Sequence, residues 1–188
     1  MVRAISYILV GFGLTLAALG IYSIWKSHHA EQQAEEQWAT IARTEQQQPP
    51  KPLHRVGKGE TLARLSIPRL DSHWIVIEGA DKNELRIGPG HLIQTALPGT
   101  RGNCVIAGHR DTQFRVLQKV KIGEDISVEI EGRTFVYRVT DRHVVSPTDT
   151  HPLKPTPTCS LTLVTCYPFY YVGPAPKRFV IRAELVSS

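Results

Sequence analysis

An all-β domain is what this sequence predicts, on three observations. From Gly59 onward, short runs rich in Val, Ile, Thr and aromatic residues alternate with Gly, Pro, Asn and Asp turn signals. One run, Ile126-Ser127-Val128-Glu129-Ile130, alternates with period two. It turns at Glu131-Gly132 into Thr134-Phe135-Val136-Tyr137-Arg138-Val139, the pattern of a β-hairpin. Only 81–85 and 113–119 read as helical, and both are short. Many short strands at this spacing specify a barrel or a sandwich. The roughly 130 residues of 59–188 suffice to bury a core.

The segments ahead of that domain read differently. Residues 4–25 are uncharged and mostly apolar, about the length needed to cross a bilayer, with Tyr7, Tyr22 and Trp25 near the ends where an interfacial belt would sit. A cleavable signal peptide is the rival reading. It is disfavoured by the long apolar run and by Trp25-Lys26-Ser27-His28-His29, which offers no small-residue cleavage site. Residues 1–25 are therefore expected to be a single transmembrane helix, with the N-terminus inside and the domain outside. Residues 26–58 are expected to hold a juxtamembrane helix, with Ala34, Trp38, Ile41 and Ala42 at near-helical spacing, and then a Pro-rich spacer through Pro49-Pro50-Lys51-Pro52. The domain is expected to occupy 59–188.

Within the domain, the strands are expected at 62–67, ending at Pro68; at 74–77, ending at Glu78-Gly79; at 103–107, ending at Gly108; then the hairpin; then 160–165 and 178–185. Two stretches resist strand assignment, 146–158 and 167–177, both rich in proline and both flanking the strand that leads to Cys166. Long irregular loops in a compact β domain are usually functional, and these two are placed to wall a groove.

Composition narrows the chemistry. Net charge is +5 without a long Lys/Arg run, which argues against a nucleic-acid partner. Three cysteines is an odd count and leaves at least one thiol free. Cys104 and Cys159 read as small buried hydrophobes or bystanders, so Cys166 is the candidate thiol. Cys104, His143 and His151 have no metal-ligand spacing, and the 146–158 loop offers one carboxylate, Asp149. Neither a metal nor another cofactor is expected.

Cys166 closes the apolar run Leu161-Thr162-Leu163-Val164-Thr165, and His109 closes Val105-Ile106-Ala107-Gly108. A strand end fixes a side chain in space while leaving it open to a substrate. A thiolate is a strong nucleophile, an imidazole can take and return its proton, and an arginine fork can hold the oxygen on which charge develops. Cys166, His109 and Arg178 therefore form a candidate nucleophile, acid/base and carbonyl-binding cation. His91 is expected either to line the groove or to make a structural hydrogen bond. Asp111 is expected either to orient the imidazole or to cap the helix starting near Gln113.

The strings add a further indication. Thr162-Leu163-Val164-Thr165-Cys166 resembles the TLxTC motif of sortases. The likeness extends through Gly108-His109-Arg110-Asp111-Thr112, Pro176-Lys177-Arg178-Phe179, Leu97-Pro98-Gly99-Thr100 and Ile87-Gly88-Pro89-Gly90-His91, and covers roughly 59–185. It looks closest to class D. The resemblance implies an eight-stranded β-barrel with one or two short helices, extracytoplasmic on the cell membrane. It implies a transpeptidase that cleaves an LPxTG-like sorting signal on secreted proteins through a thioacyl-enzyme at Cys166. The acyl group would pass to an amine such as a cell-wall precursor or a pilin lysine. His109 and Arg178 take the acid/base and carbonyl-binding roles. Thr165, Asp111, His91 and Tyr167 are the expected substrate-side residues. Tyr167-Pro168-Phe169 departs from the small polar residues common after the family's cysteine, which bears on the groove wall. Two alternatives stand beside this reading. One is an L,D-transpeptidase-like enzyme, whose cysteine is usually preceded closely by His-Gly rather than by Val164-Thr165. The other is a catalytically idle tethered binding module.

Overall fold

The computed structural model describes residues 53–188 apart from Val172. The expected transmembrane and juxtamembrane helices lie outside the described residues, except for the linker's last six positions. Among the described residues, no helix is long and apolar enough to cross a membrane.

Eight strands close into a barrel: β1 Thr61–Ile67, β2 Ser72–Glu78, β3 Gly90–His91, β4 Gly102–Gly108, β5 Asp125–Ile130, β6 Arg133–Val145, β7 Cys159–Tyr167 and β8 Lys177–Ser187. Their order around the barrel is β1-β2-β3-β4-β7-β8-β6-β5, with β5 returning to β1. Two of the ladders are parallel, β2 with β3 and β4 with β7; the others are antiparallel. The helical content is one α-helix, α1 Lys82–Ile87, and three 3-10 segments, Pro68–Leu70, Gln113–Lys119 and His151–Leu153. The helix expected at 113–119 is thus a 3-10 helix.

Period-two alternation sends one face of each strand inward. Leu65 and Ile67 of β1, Ile126 and Val128 of β5, Cys104 and Ile106 of β4, Leu161 and Leu163 of β7, and Ile181 and Ala183 of β8 fill a common core. Phe114 and Leu117 of the longest 3-10 segment plug one end of it, Phe114 meeting Trp74 edge to face at 5.9 Å. The β5–β6 hairpin turns where expected: Glu131 (φ 49°) and Gly132 (φ 74°) both take the left-handed region that a tight two-residue hairpin demands.

Three features differ from the expected layout. The two-residue β3 was read as loop. It runs so close to the chain after β2 that a Cβ on Gly90 would stand 2.2 Å from the Gly79 carbonyl oxygen, which only glycine allows. β6 continues past Val139 to Val145 through the charged Asp141-Arg142-His143. Arg142 makes this possible: its guanidinium donates to the carbonyls of Val120 and Gln118 and lies 5.3 Å from the centre of the Phe179 ring. β7 runs one residue beyond Cys166, because Tyr167 pairs with Lys177.

The compact unit begins at Leu53, ahead of the expected Gly59. Leu53 and Val56 pack against the core. The His54 amide donates to Glu131, and the Arg55 guanidinium donates to the carbonyls of Ile93 and Thr95 at 2.7 and 3.1 Å. Two partly buried aliphatic side chains with these bonds are worth about 2 kcal/mol. A chain starting at Gly59 should therefore fold into the same barrel but be less stable than one starting at Leu53 by about that amount. Urea melts of the two chains check this, and coincident midpoints would show that residues 53–58 contribute nothing.

Candidate active site

Three neighbouring strands bring the site together. β4 and β7 pair in parallel without a slip from Gly102↔Cys159 to Gly108↔Thr165. Carried one residue further, that register sets His109 beside Cys166. On the other side of β7, the antiparallel ladder with β8 pairs Cys166 directly with Arg178. Cys166 thus sits on the middle strand, with the histidine and the arginine on the strands to either side.

Alternation decides which way these side chains point. Leu161, Leu163 and Thr165 share one parity on β7, and the first two are core residues; Cys166 has the opposite parity. On β8, Phe179 and Ile181 face the core, so Arg178 faces out; on β4, Cys104 and Ile106 face the core, and His109 follows with the outward parity. All three therefore lie on the outer face at one end of the barrel. His109 is exposed, and Cys166 and Arg178 are half-buried.

Local bonds fix each backbone. The Thr165 hydroxyl donates to the Gly108 carbonyl at 2.7 Å, stitching β7 to β4 one residue before the cysteine and the histidine. The His109 amide donates to Gln113 Oε1 at 3.1 Å, and its carbonyl accepts from the Phe114 amide at 2.9 Å. Gly108 is needed for this close approach, since a Cβ there would meet the Phe114 ring at 2.8 Å. Arg178 donates through Nη1 to the carbonyls of Lys177 (3.0 Å) and Ala175 (3.3 Å), while Nε and Nη2 have no partner among the described residues. A half-buried guanidinium with two free donor nitrogens can receive a carbonyl oxygen.

The three cysteines differ by position. Cys104 is fully buried, and that burial pushes its thiol well above the ordinary range. Cys159 opens β7 at the far end of the strand, its sulfur 3.9 Å from the Gly99 carbonyl oxygen. Cys166 alone is a free thiol on the outward face beside His109 and Arg178.

Several expected substrate-side residues do other work. His91 is fully buried: Nδ1 is 2.7 Å from Glu78 Oε2, and Nε2 is 3.0 Å from both the Ala96 carbonyl and the Thr95 hydroxyl. Of its two expected roles, the structural hydrogen bond is the one formed, because a ring without exposed surface cannot line a groove. Thr165 is likewise buried and spends its hydroxyl on Gly108. Tyr167 stacks on Phe179 (ring centres 6.3 Å apart) and meets Phe169 edge to face, closing the barrel end beneath the cysteine. Asp111 is exposed, and no side-chain bond caps the first turn of the 113–119 helix.

Two residues that sequence reading passed over hold the loops that flank the β7 strand. Asn103, buried on β4, donates from Nδ2 to the carbonyls of Pro152 (2.9 Å) and Lys154 (3.1 Å) and accepts from the Thr162 hydroxyl at 2.7 Å. It ties the 146–158 loop to the barrel. Arg110 donates from Nη2 to the carbonyls of Tyr171 (2.7 Å) and Gly173 (2.9 Å), tying the β7–β8 loop to the corner that carries His109. A polar side chain at the start of an otherwise apolar run was the available signal for Asn103; nothing local marked Arg110.

Known proteins resemble this chain in sequence and in fold. A sortase domain model matches residues 65–186. The chain is 33% identical to Sortase D of Bacillus subtilis (strain 168) over 135 residues, which is 69% of this chain and 66% of that protein. It is 30% identical to Sortase SrtE1 of Streptomyces coelicolor over 211 residues, 98% of this chain and 57% of that one. The chain thus spans no more than about two thirds of these relatives. Among solved structures, a Clostridium perfringens Sortase D5 transpeptidase superposes with a TM-score of 0.65 at 29% identity, covering 71% of this chain and 83% of that one. Sortase A from Corynebacterium diphtheriae does so with 0.65 at 37% identity, covering 70% and 63%. With the barrel, the strand register and a domain match over most of its length in agreement, this chain belongs to the sortase family.

Proposed function

We propose that this protein is a membrane-anchored cysteine transpeptidase, held to the cell membrane by residues 4–25 with its barrel outside. It cleaves an LPxTG-like sorting signal and passes the acyl group to an amine of the cell envelope. One observation supports the reading most: Cys166 pairs with Arg178 across β7 and β8, and the β4–β7 ladder ends at Gly108 and Thr165, the residues just before His109 and Cys166. The family assignment weighs against an L,D-transpeptidase-like enzyme, and the presence of all three residues weighs against an idle binding module.

The chemistry follows from those positions. Cys166 attacks the carbonyl carbon of the scissile peptide bond as thiolate, and the carbonyl oxygen takes up negative charge. Arg178 meets that oxygen with Nε and Nη2, the donors its own loop leaves free. His109 gives its proton to the departing amine nitrogen, the C–N bond breaks, and a thioester on Cys166 remains. An incoming amine then forms a new amide, the C–S bond breaks, and the amine's proton goes to His109.

A library of LPxTG-like pentapeptides, assayed with and without added amine, tests the substrate class. Cleavage confined to sequences unlike LPxTG would overturn it. On the preferred peptide, Cys166→Ala should leave no detectable turnover and a melting temperature close to wild type, since the thiol supports no core packing. His109→Ala should lower kcat/KM by about a thousandfold, the usual scale for an acid/base group. A near-normal rate would remove His109 from the chemistry. Arg178→Lys keeps the charge but loses the fork; kcat should fall about a hundredfold with KM nearly unchanged, because the contact is made to developing charge. Wild-type kinetics in this variant, with an unchanged circular dichroism spectrum, would mean that the fork plays no part.

A further inference from the structure

A cavity of about 440 Å³ opens beside the histidine corner, between the start of β2, the 3-10 helix 113–119 and the β7–β8 loop. That size suits a small polar ligand. Its lining touches the site directly in sequence and in bonding: Thr112 and Gln113 follow His109, and Gln113 accepts the bond from the His109 amide. Trp74 contributes an aromatic side chain and Tyr170 another.

The lining carries two cations, Arg115 and Lys119, and no carboxylate. Among the described residues, neither cation is held in an ion pair. Arg115 lies 4.9 Å from the centre of the Tyr170 ring, and Gln118 donates to the Tyr170 hydroxyl at 3.2 Å. That hydroxyl is held below the ordinary phenol range, first by the Gln118 bond and then by Arg115. Arg110 ties the neighbouring loop, donating to the carbonyls of Tyr171 and Gly173 and lying 5.6 Å from the Tyr171 ring centre.

Reaction geometry says which substrate uses this side. The leaving amine takes its proton from His109, and the entering amine returns one to it, so both travel on the histidine side of Cys166. We propose that this cavity is the acceptor subsite and that it selects amines carrying a carboxylate a few bonds away, held by Arg115 and Lys119. The proposal rests on the transpeptidase reading given above. At the thioester, the acceptor nitrogen bonds to the acyl carbon, sulfur leaves with the C–S electron pair, and the nitrogen's proton passes to the His109 imidazole.

The test compares acceptors within one protein, so any general loss of activity cancels. A donor peptide is incubated with glycine-to-tetraglycine acceptors and with the matching C-terminal carboxamides, and transpeptidation and hydrolysis products are separated by mass. Wild type should favour at least one carboxylate acceptor over its carboxamide by about tenfold in kcat/KM, the scale of one charge-assisted hydrogen bond. The preference should shrink as salt is raised. In the Arg115→Gln/Lys119→Gln double variant the ratio should fall toward one. Equal use of carboxylate and carboxamide by wild type, or an unchanged ratio in the double variant, would overturn the acceptor subsite while leaving the transpeptidase reading intact. Failure to cleave any donor peptide would overturn both.

Discussion

The parallel pairing of β4 with β7 is the constraint on which the rest of the site depends. A parallel ladder offers no hairpin to set its register; here β5 and β6 intervene in the chain between the two strands. The register must then be held by side chains. Leu161 and Leu163 meet Cys104 and Ile106 in the core on one face, and the Thr165 hydroxyl bonds to Gly108 at the end of the ladder. A slip of one residue would turn Cys166 inward and bury Thr165's neighbours on the wrong side. The threonine before the cysteine is thus a stitch between the two strands.

Around that ladder, polar side chains, Asn103 buried and two arginines half-buried, set the loops. Asn103 holds the 146–158 loop, Arg142 holds the end of the 113–119 helix, and Arg110 holds the β7–β8 loop. Glu78 and His91 join the end of β2 to β3 inside the protein, with the ring's second nitrogen bonded to the turn that follows. Removing one partner from such a pair strands the other without water, which is why these contacts specify loop position strongly. The consequence is that the loops on either side of a half-buried thiol are tied to the barrel.

The strands were legible because a barrel of this size alternates: β-branched and aromatic residues every second position, stopped by Gly, Pro and Asn. The hairpin at Glu131-Gly132 and the strands ending at Gly108 and near Cys166 follow from local pattern alone. What escaped was non-local. A two-residue strand such as Gly90–His91 has no periodicity to read. The extension of β6 through Asp141-Arg142-His143 looks polar in sequence and is held by an arginine stem whose partners lie on another element. For the candidate site, the chemistry-bearing residue types at strand ends were visible in advance. The burial of His91 and Thr165 and the clamp made by Arg110 depend on pairings across the barrel that no local window contains.

The outward thiol between β4 and β8 is where we propose that the acyl group resides. Peptide mapping by mass spectrometry, after incubating the full chain with a cleavable LPxTG-like donor in the absence of amine and quenching in acid, addresses it most directly. The account predicts one hydroxylamine-labile acyl adduct, on the peptide containing Cys166, that disappears when an amine acceptor is added. Donor cleavage accompanied by an adduct on Cys159, or by no thioester at all, would contradict it.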